Sequence, residues 1–332
     1  MSLPAFSVAR PRRLEQALDL LVLHGPQAML VAGGTDVIPN LRQNLFAPRV
    51  LVDLKGLREL AGLEFDTQRG LRIGALATMS TIADSSLVGE HYPVLAQAAA
   101  SVASPPLRNM GTLGGNLCLE TRCLWYNQSH FWRQACGFCL KKDGAVCHVA
   151  PGGQRCWAVW SGDTAAALLT LDAEIEIASP RGGRRLPLVH FYKQDGMDRI
   201  NLAPDEILTA VLVPVRTAGY RGSYQKLRIR NSIDYPLAGV ALAMKCADGV
   251  CEDARIALTA VNPAPLRVTE ASELLAGQRY SSELVEAVAH AVIRTGKPLK
   301  TSVSTPEYRR EALCVLTRHA LRALWHENGH HT

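Results

Sequence analysis

The first part of the chain alternates short apolar strands with amphipathic helices, a pattern typical of small α/β units. Apolar residues recur at helical spacing over 14–22, with Pro11 suited to the first helical turn. The apolar runs AMLVAGG, VLVDL and LRIGAL predict strands, and helices are expected from about Met79 and across 93–102.

The second part contains strands that follow one another. A helix over 163–169 precedes the strand patterns AEIEIAS, EILTAVLVP, SYQKLRI and LAGVALAMKC, and the last of these is expected to pair with ARIALTAVN through Asp248-Gly249. This order favours a mixed or antiparallel sheet. From Arg267 the pattern turns helical, and the third helix of this region begins at Thr305-Pro306-Glu307. The His330-His331 end is expected to be a frayed tail.

Composition excludes several classes of protein. At 332 residues and 48% apolar content, the chain is long enough for two or three domains with ordinary cores. Glu15 and Asp19 interrupt the first apolar stretch, and no run approaches the roughly 18 residues of a membrane span, so neither an anchor nor an export signal is expected. The net charge of +6 is mild and dispersed, which disfavours nucleic-acid binding. Nine cysteines without an export signal indicate a reducing, cytoplasmic compartment.

Two glycine-rich loops are candidates for binding a phosphate-bearing cofactor. The segment 31–36, VAGGTD, ends a strand in glycines that allow backbone N–H groups close to a pyrophosphate, and Thr35 adds a donor. The segment 108–116, RNMGTLGGN, has three glycines in five residues. Each loop alone also suits an ordinary turn, but together they favour a shared cofactor. Because neither is GxGxxG, a nicotinamide Rossmann site is poorly supported.

Six of the nine cysteines lie within 39 residues: Cys118, Cys123, Cys136, Cys139, Cys147 and Cys156. A disulfide knot does not suit a reducing compartment. Zinc could bind Cys136 and Cys139 with two of Cys147, His148 and Cys156, whereas an iron–sulfur cluster needs any four thiolates that the fold brings together. The spacing of the thiols leaves these two possibilities equal.

The motifs AGGTD, RNMGTLGGN, SGDTAAALLTLDAEIEI and EILTAVLVP, with Lys226 in SYQKLRIR, resemble the FAD-binding subunit of the xanthine dehydrogenase and carbon monoxide dehydrogenase family. The resemblance covers nearly the whole chain. It implies an α+β fold, with a two-part FAD-binding domain over 1–54 and 55–220 and a C-terminal domain of sheet and helices over 221–332.

The resemblance also assigns candidate FAD-binding residues. The two loops would line the diphosphate and ribityl chain, Asp163 would bind a ribityl hydroxyl, and Leu208 and Lys226 would lie beside the flavin ring. The loop residues are Ala32, Gly33, Gly34, Thr35, Asp36, Thr112, Leu113, Gly114, Gly115 and Asn116.

The stretch at about 117–160 departs from most of this family, since roughly forty extra residues intervene there, far more than a usual loop of about 4 to 6. The 4-hydroxybenzoyl-CoA reductase branch carries such an insert with a [4Fe-4S] cluster. Its pattern maps onto Cys123, Cys139, Cys147 and Cys156, and a one-electron centre has an obvious use beside a flavin.

The resemblance implies an electron-transfer subunit with no catalytic residue of its own. Its partners would be a large molybdopterin-binding subunit and a small subunit with two [2Fe-2S] clusters, in a dimer of heterotrimers supplied by a ferredoxin-like donor. The reaction would be reductive dehydroxylation of 4-hydroxybenzoyl-CoA to benzoyl-CoA. The alternatives are a molybdenum hydroxylase for another aromatic compound and a zinc-stabilised interaction module.

Overall fold

The computed structural model describes residues 3–326 and contains three separate β-sheets with helices packed between and beside them. Within this range no helix is both long enough and apolar enough to cross a bilayer. The predicted α+β class is confirmed, because two of the sheets are wholly antiparallel. His330 and His331 lie outside the described residues.

The first unit is a three-stranded parallel sheet of order β1-β3-β2 with one packed helix. Its core joins Ala17 and Leu21 of the helix to Val50 and Val52 of the central strand. The first helix begins at Leu14 rather than Pro11, because Gln16 caps it by accepting hydrogen bonds from the preceding backbone N–H groups. The elements are β1 (Ser7–Ala9), α1 (Leu14–His24), β2 (Ala28–Val31), α2 (Val37–Arg42) and β3 (Val50–Asp53).

The second unit is a five-stranded antiparallel sheet of order β4-β5-β8-β6-β7 whose inner face is covered by α3, α5 and α9. Every residue of α9 is buried, so this helix lies at the centre of the molecule. The elements are β4 (Leu63–Asp66), β5 (Gly70–Gly74), α3 (Met79–Ala83), α4 (Ser86–His91), α5 (Pro93–Ser101), α6 (Pro105–Arg108), α7 (Leu113–Leu117), α8 (His130–Ala135), α9 (Asp163–Thr170), β6 (Glu174–Ser179), β7 (Gly182–Pro187) and β8 (Ile207–Pro214).

The third unit is an antiparallel sheet of order β12-β11-β10-β9 that is covered on both faces. Along β10, Val240 and Leu242 face the C-terminal helices, whereas the small side chains of Ala241 and Ala243 face the central core and allow α9 to approach closely. The elements are β9 (Arg221–Leu227), β10 (Ala238–Ala247), β11 (Val250–Thr259), β12 (Leu266–Arg267), α10 (Thr269–Leu275), α11 (Ser282–Thr295) and α12 (Pro306–His326).

The strands that the sequence predicts in succession divide between two sheets. Strand β8 pairs with β5 and β6, and β9 pairs with β10 instead. Both sheets are antiparallel, but the change of sheet between Pro214 and Arg221 has no signal in the apolar periodicity. This division opens a cleft between the units.

Candidate cofactor site

A cleft of about 690 Å³ opens where the three units meet. Its walls come from both glycine loops, the start of α9, the segment 199–208 and the turn 233–235. A volume of this size lies within the roughly 300–1,000 Å³ of ligand pockets. Another hollow of about 700 Å³ lies on the outer face of the five-stranded sheet, but charged side chains dominate its walls and none of the predicted residues lines it.

The first glycine loop forms part of the cleft wall with backbone because side chains do not fit there. A Cβ atom on Gly33 would lie 1.7 Å from the carbonyl oxygen of Met110, which belongs to the second loop. Gly34 has φ +73°, a conformation that residues with a side chain rarely adopt. The two loops therefore touch, and their peptide groups are available at close range to a ligand.

We expect Gly33→Ala to separate the two loops and to abolish most flavin binding. The new methyl group overlaps a backbone carbonyl, which cannot rotate away as a flexible side chain would. Flavin absorbance per purified chain measures the effect. Gly89→Ala is the matched control, because nothing lies within 4 Å of a Cβ at that exposed helical position. Full flavin content in Gly33→Ala would contradict the close contact of the loops.

Asp36 joins the first loop to the start of the cysteine-rich insert. Its carboxylate accepts hydrogen bonds from Asn40 Nδ2 at 3.2 Å, from the Glu120 backbone N–H at 3.0 Å and from Arg122. The Arg122 guanidinium also lies 4.2 Å from the ring centroid of Tyr235, whose hydroxyl approaches Asp36 within 3.4 Å. Side chains from three distant segments thus meet at the rim of the cleft.

The second glycine loop is held to the core by backbone and side-chain hydrogen bonds. Thr112 accepts from the Gly115 N–H at 3.2 Å, and Asn116 Oδ1 accepts from the Thr164 hydroxyl at 2.6 Å. A Cβ on Gly114 would lie 2.9 Å from that of Ala75, so the loop packs tightly against the strand end. These contacts connect the loop to the start of α9.

Asp163, the first residue of α9, lies in a buried network at the cleft. It accepts a 2.6 Å hydrogen bond from the Tyr224 hydroxyl and forms a 3.0 Å ion pair with Lys226 Nζ. Burial, reinforced by the Asp163 carboxylate, raises the pKa of the Tyr224 hydroxyl well above its usual value. Lys226 also donates to the Ser101 carbonyl at 3.1 Å. This network joins the C-terminal sheet to the cleft.

Eleven of the thirteen predicted FAD-binding residues line the cleft, and two do not. Leu113 is fully buried in the central core, because its position in α7 turns the side chain away from the cleft. Lys226 contacts the cleft through Asp163. Leu208 lies on β8 at the cleft wall. Sequence reasoning missed Arg122, Tyr235 and Tyr224.

The cysteine-rich insert leaves the rest of the fold and returns to it at the same place, because its two ends pair with each other. Arg122 and Val159 exchange two backbone hydrogen bonds of 2.8 Å. Arg133, only 1% exposed, donates to the carbonyls of Gln43 and Asn44 and thereby attaches the insert to the end of α2. An insert anchored in this way has a defined interior.

Four of the six clustered cysteines form one buried group, and they are the predicted ligands: Cys123, Cys139, Cys147 and Cys156. Burial raises the pKa of the Cys123 thiol to about 12, and the nearby thiols of the other three contribute to this rise. Apolar contacts with Leu45 and Tyr126 surround three of the four. Neither Cys118 nor Cys136 belongs to this group.

Backbone donors reach two of the four sulfur atoms. The Ala158 N–H donates to Cys156 Sγ at 3.4 Å, and the Trp125 N–H donates to Cys123. All nine cysteines are free thiols, so the described chain contains no disulfide knot. Within residues 3–326 no set of three or more His, Cys, Asp or Glu side chains is placed to hold a metal ion.

Comparison with known proteins assigns both halves of the chain. Residues 4–216 match the family described as FAD binding domain in molybdopterin dehydrogenase, and residues 222–324 match the CO dehydrogenase flavoprotein C-terminal domain. The xanthine dehydrogenase FAD-binding subunit of Escherichia coli O157:H7 is 29% identical over 94% of this chain and 93% of its own. The nicotine 6-hydroxylase medium subunit of Paenarthrobacter nicotinovorans is 30% identical over 97% of this chain and 98% of its own.

The solved structures agree with the sequence matches. Carbon monoxide dehydrogenase from Hydrogenophaga pseudoflava superimposes with a TM-score of 0.80 at 27% identity, covering 98% of this chain and 99% of the matched one. The glycine loops and cleft belong to the part that matches the FAD-binding domain. The chain therefore belongs to the FAD-binding medium subunits of the xanthine dehydrogenase and carbon monoxide dehydrogenase family of molybdenum hydroxylases.

Proposed function

We propose that this subunit carries a [4Fe-4S] cluster in its insert beside the FAD of the cleft, and that it serves a 4-hydroxybenzoyl-CoA reductase. The overall reaction would remove the phenolic hydroxyl of 4-hydroxybenzoyl-CoA to give benzoyl-CoA. The observation that carries the proposal is the convergence of four buried thiols out of six, the same four that the resemblance to that branch selects.

The number and surroundings of these thiols suit an iron–sulfur cluster. Four buried cysteines supply the four thiolates that such a cluster requires. Backbone N–H donors to Cys123 and Cys156 and the adjacent Tyr126 and Trp125 provide the hydrogen bonds and low dielectric that tune such clusters.

The residues of the cleft suit FAD. The contact of Gly33 with Met110 and the left-handed turn at Gly34 leave backbone close to the position of a diphosphate. Asp163 presents a carboxylate for a ribityl hydroxyl, and Leu208 offers an apolar wall for the ring. Bound FAD would supply the interchange between two-electron and one-electron transfer.

The proposed assembly contains a large molybdopterin-binding subunit and a small subunit with two [2Fe-2S] clusters, in a dimer of heterotrimers in the cytoplasm. A ferredoxin-like protein would supply electrons of low potential. Two relatives that are carbon monoxide dehydrogenase medium chains support the division into large, medium and small subunits. No residue of this chain would contact the thioester substrate.

Anaerobic determination of iron, sulfide and flavin on the purified subunit tests the cofactors. We expect about four iron atoms and four sulfides for each FAD, with an electron paramagnetic resonance signal after reduction. One zinc without iron or flavin would contradict the proposal and leave a zinc-stabilised interaction module.

Assay of the whole complex tests the substrate. We expect reduction of 4-hydroxybenzoyl-CoA with a low-potential dye as donor. The second candidate, a molybdenum hydroxylase for another aromatic compound, has support in the 30% identity to a medium subunit of nicotine 6-hydroxylase. Oxidation of a heteroaromatic compound without any dehydroxylation of the thioester would favour that candidate.

A further inference from the structure

One lysine of the insert is buried although it binds no predicted cofactor directly. The Lys141 side chain is 6% exposed and its ammonium group donates to the Glu120 carboxylate at 2.5 Å, to the Gly196 carbonyl at 2.7 Å and to the Thr121 hydroxyl. It also lies 4.5 Å from the ring centroid of Tyr126. A charge with this many fixed partners cannot move into solvent.

Lys141 stands between the cysteine group and the flavin cleft. On one side, Gly196 packs so closely on Cys156 that a Cβ there would lie 2.8 Å from the sulfur, and Tyr126 belongs to the apolar group around the cysteines. On the other side, Glu120 lines the cleft, and its backbone N–H donates to Asp36. One intervening residue on each side thus separates the Lys141 ammonium group from the cysteine group and from the flavin cleft.

The charges around Lys141 form a network of cations and carboxylates. Burial alone would raise the pKa of the Glu120 carboxyl, but Lys141 and Arg199 outweigh it and the pKa is lowered, so the carboxylate is ionised. Arg199 lies 3.8 Å from the same carboxylate, and Arg122 pairs with Asp36. Asp195, whose carboxylate accepts the Cys156 backbone N–H at 3.1 Å, adds a third carboxylate, so the three cations and three carboxylates balance and removal of Lys141 leaves the region negative.

We infer that Lys141 sets the reduction potential of the cluster held by the four cysteines, by placing a fixed positive charge beside Cys156. The inference rests on the proposed function, because it requires the cluster. Reduction adds one negative charge to a buried group, and a nearby cation stabilises the reduced form more strongly in a low dielectric than in water. Loss of the ammonium group therefore lowers the potential.

Anaerobic redox titration of the complex, followed by electron paramagnetic resonance, measures this effect. We expect Lys141→Met to lower the midpoint potential of the cluster relative to the wild type. Lys142→Met is the matched control. The Lys142 side chain is 37% exposed and pairs with Asp143, so water screens its charge. An unchanged potential in Lys141→Met, or equal shifts in both variants, would overturn the inference.

A variant that removes the opposing negative charge distinguishes an electrostatic effect on the potential from a structural disturbance. Glu120→Gln removes a negative charge and keeps Lys141, so we expect the potential to rise. The double variant Lys141→Met/Glu120→Gln removes both charges and should lie near the wild type. Shifts of the same sign in the two single variants would contradict the inference, even if one of them binds less iron.

The failure of the inference differs from the failure of the proposed function. Wild-type protein without iron refutes the cluster itself. Wild-type protein with a full cluster whose potential does not respond to either charge refutes only the role of Lys141.

Discussion

Cys139→Ser is expected to lose nearly all iron from the subunit while it retains most of the flavin. Cys139 lies in a tight turn where its carbonyl accepts the Lys142 N–H at 2.8 Å, so a serine oxygen keeps the fold but is a poor ligand for iron. The flavin loops belong to other segments and do not need the cluster for their geometry. Iron and flavin content per chain, measured together, check the result.

Cys136→Ser is the matched control for this prediction. Cys136 lies three positions away in the same insert but outside the buried group, and it is half-exposed. We expect its variant to hold iron as the wild type does. Equal iron loss in the two variants would show that the ligand set is wrong, and flavin lost in proportion to iron would show that the two sites depend on each other.

Asp163→Ala is expected to lower both the free energy of unfolding and the flavin content of the chain. It leaves the Lys226 ammonium group buried without a counter-ion and removes the acceptor of the Tyr224 hydroxyl. Removal of one partner of a buried pair typically costs about 3–5 kcal/mol of unfolding free energy. Chemical denaturation and flavin absorbance measure the two losses. Asp198→Ala, in an exposed pair with Lys193, should change neither.

The double variant Asp163→Ala/Lys226→Met distinguishes packing from binding. With both charges removed, the desolvated ammonium group no longer destabilises the fold, so much of the lost stability should return. Flavin binding should remain weak, because the carboxylate at the cleft is still absent. Recovery of flavin with stability would assign Asp163 a purely structural role.

Local pattern predicted most helices and strands but not their assembly. The helices beginning near Met79 and Asp163 and the hairpin through Asp248 were correct, because periodicity, capping residues and turn residues act within a few positions. The separation of β8 from β9 was missed, since a strand's sequence does not identify its neighbour. Helix α8 was also missed, because its six residues are too few to show a period.

Only the parts of the candidate site that lie in recognisable sequence motifs could be predicted. Both glycine loops were found from the sequence, and Asp163 from the resemblance, and the cleft is lined by Asp163 and by residues of both loops. The pairing of Asp36 with Arg122 spans 86 residues, and that of Arg122 with Tyr235 spans 113. Contacts over such separations depend on the assembled fold, so no spacing in the sequence indicates them.

The paired ends of the insert bear on how such a subunit arises. Because Arg122 and Val159 are already hydrogen-bonded neighbours, removal of the segment between them leaves two chain ends that a short turn can rejoin. A single genetic insertion at this point can add the cysteine-rich segment without displacing either glycine loop. The same geometry makes the segment a transplantable module, which a flavoprotein of this fold could accept at the equivalent junction.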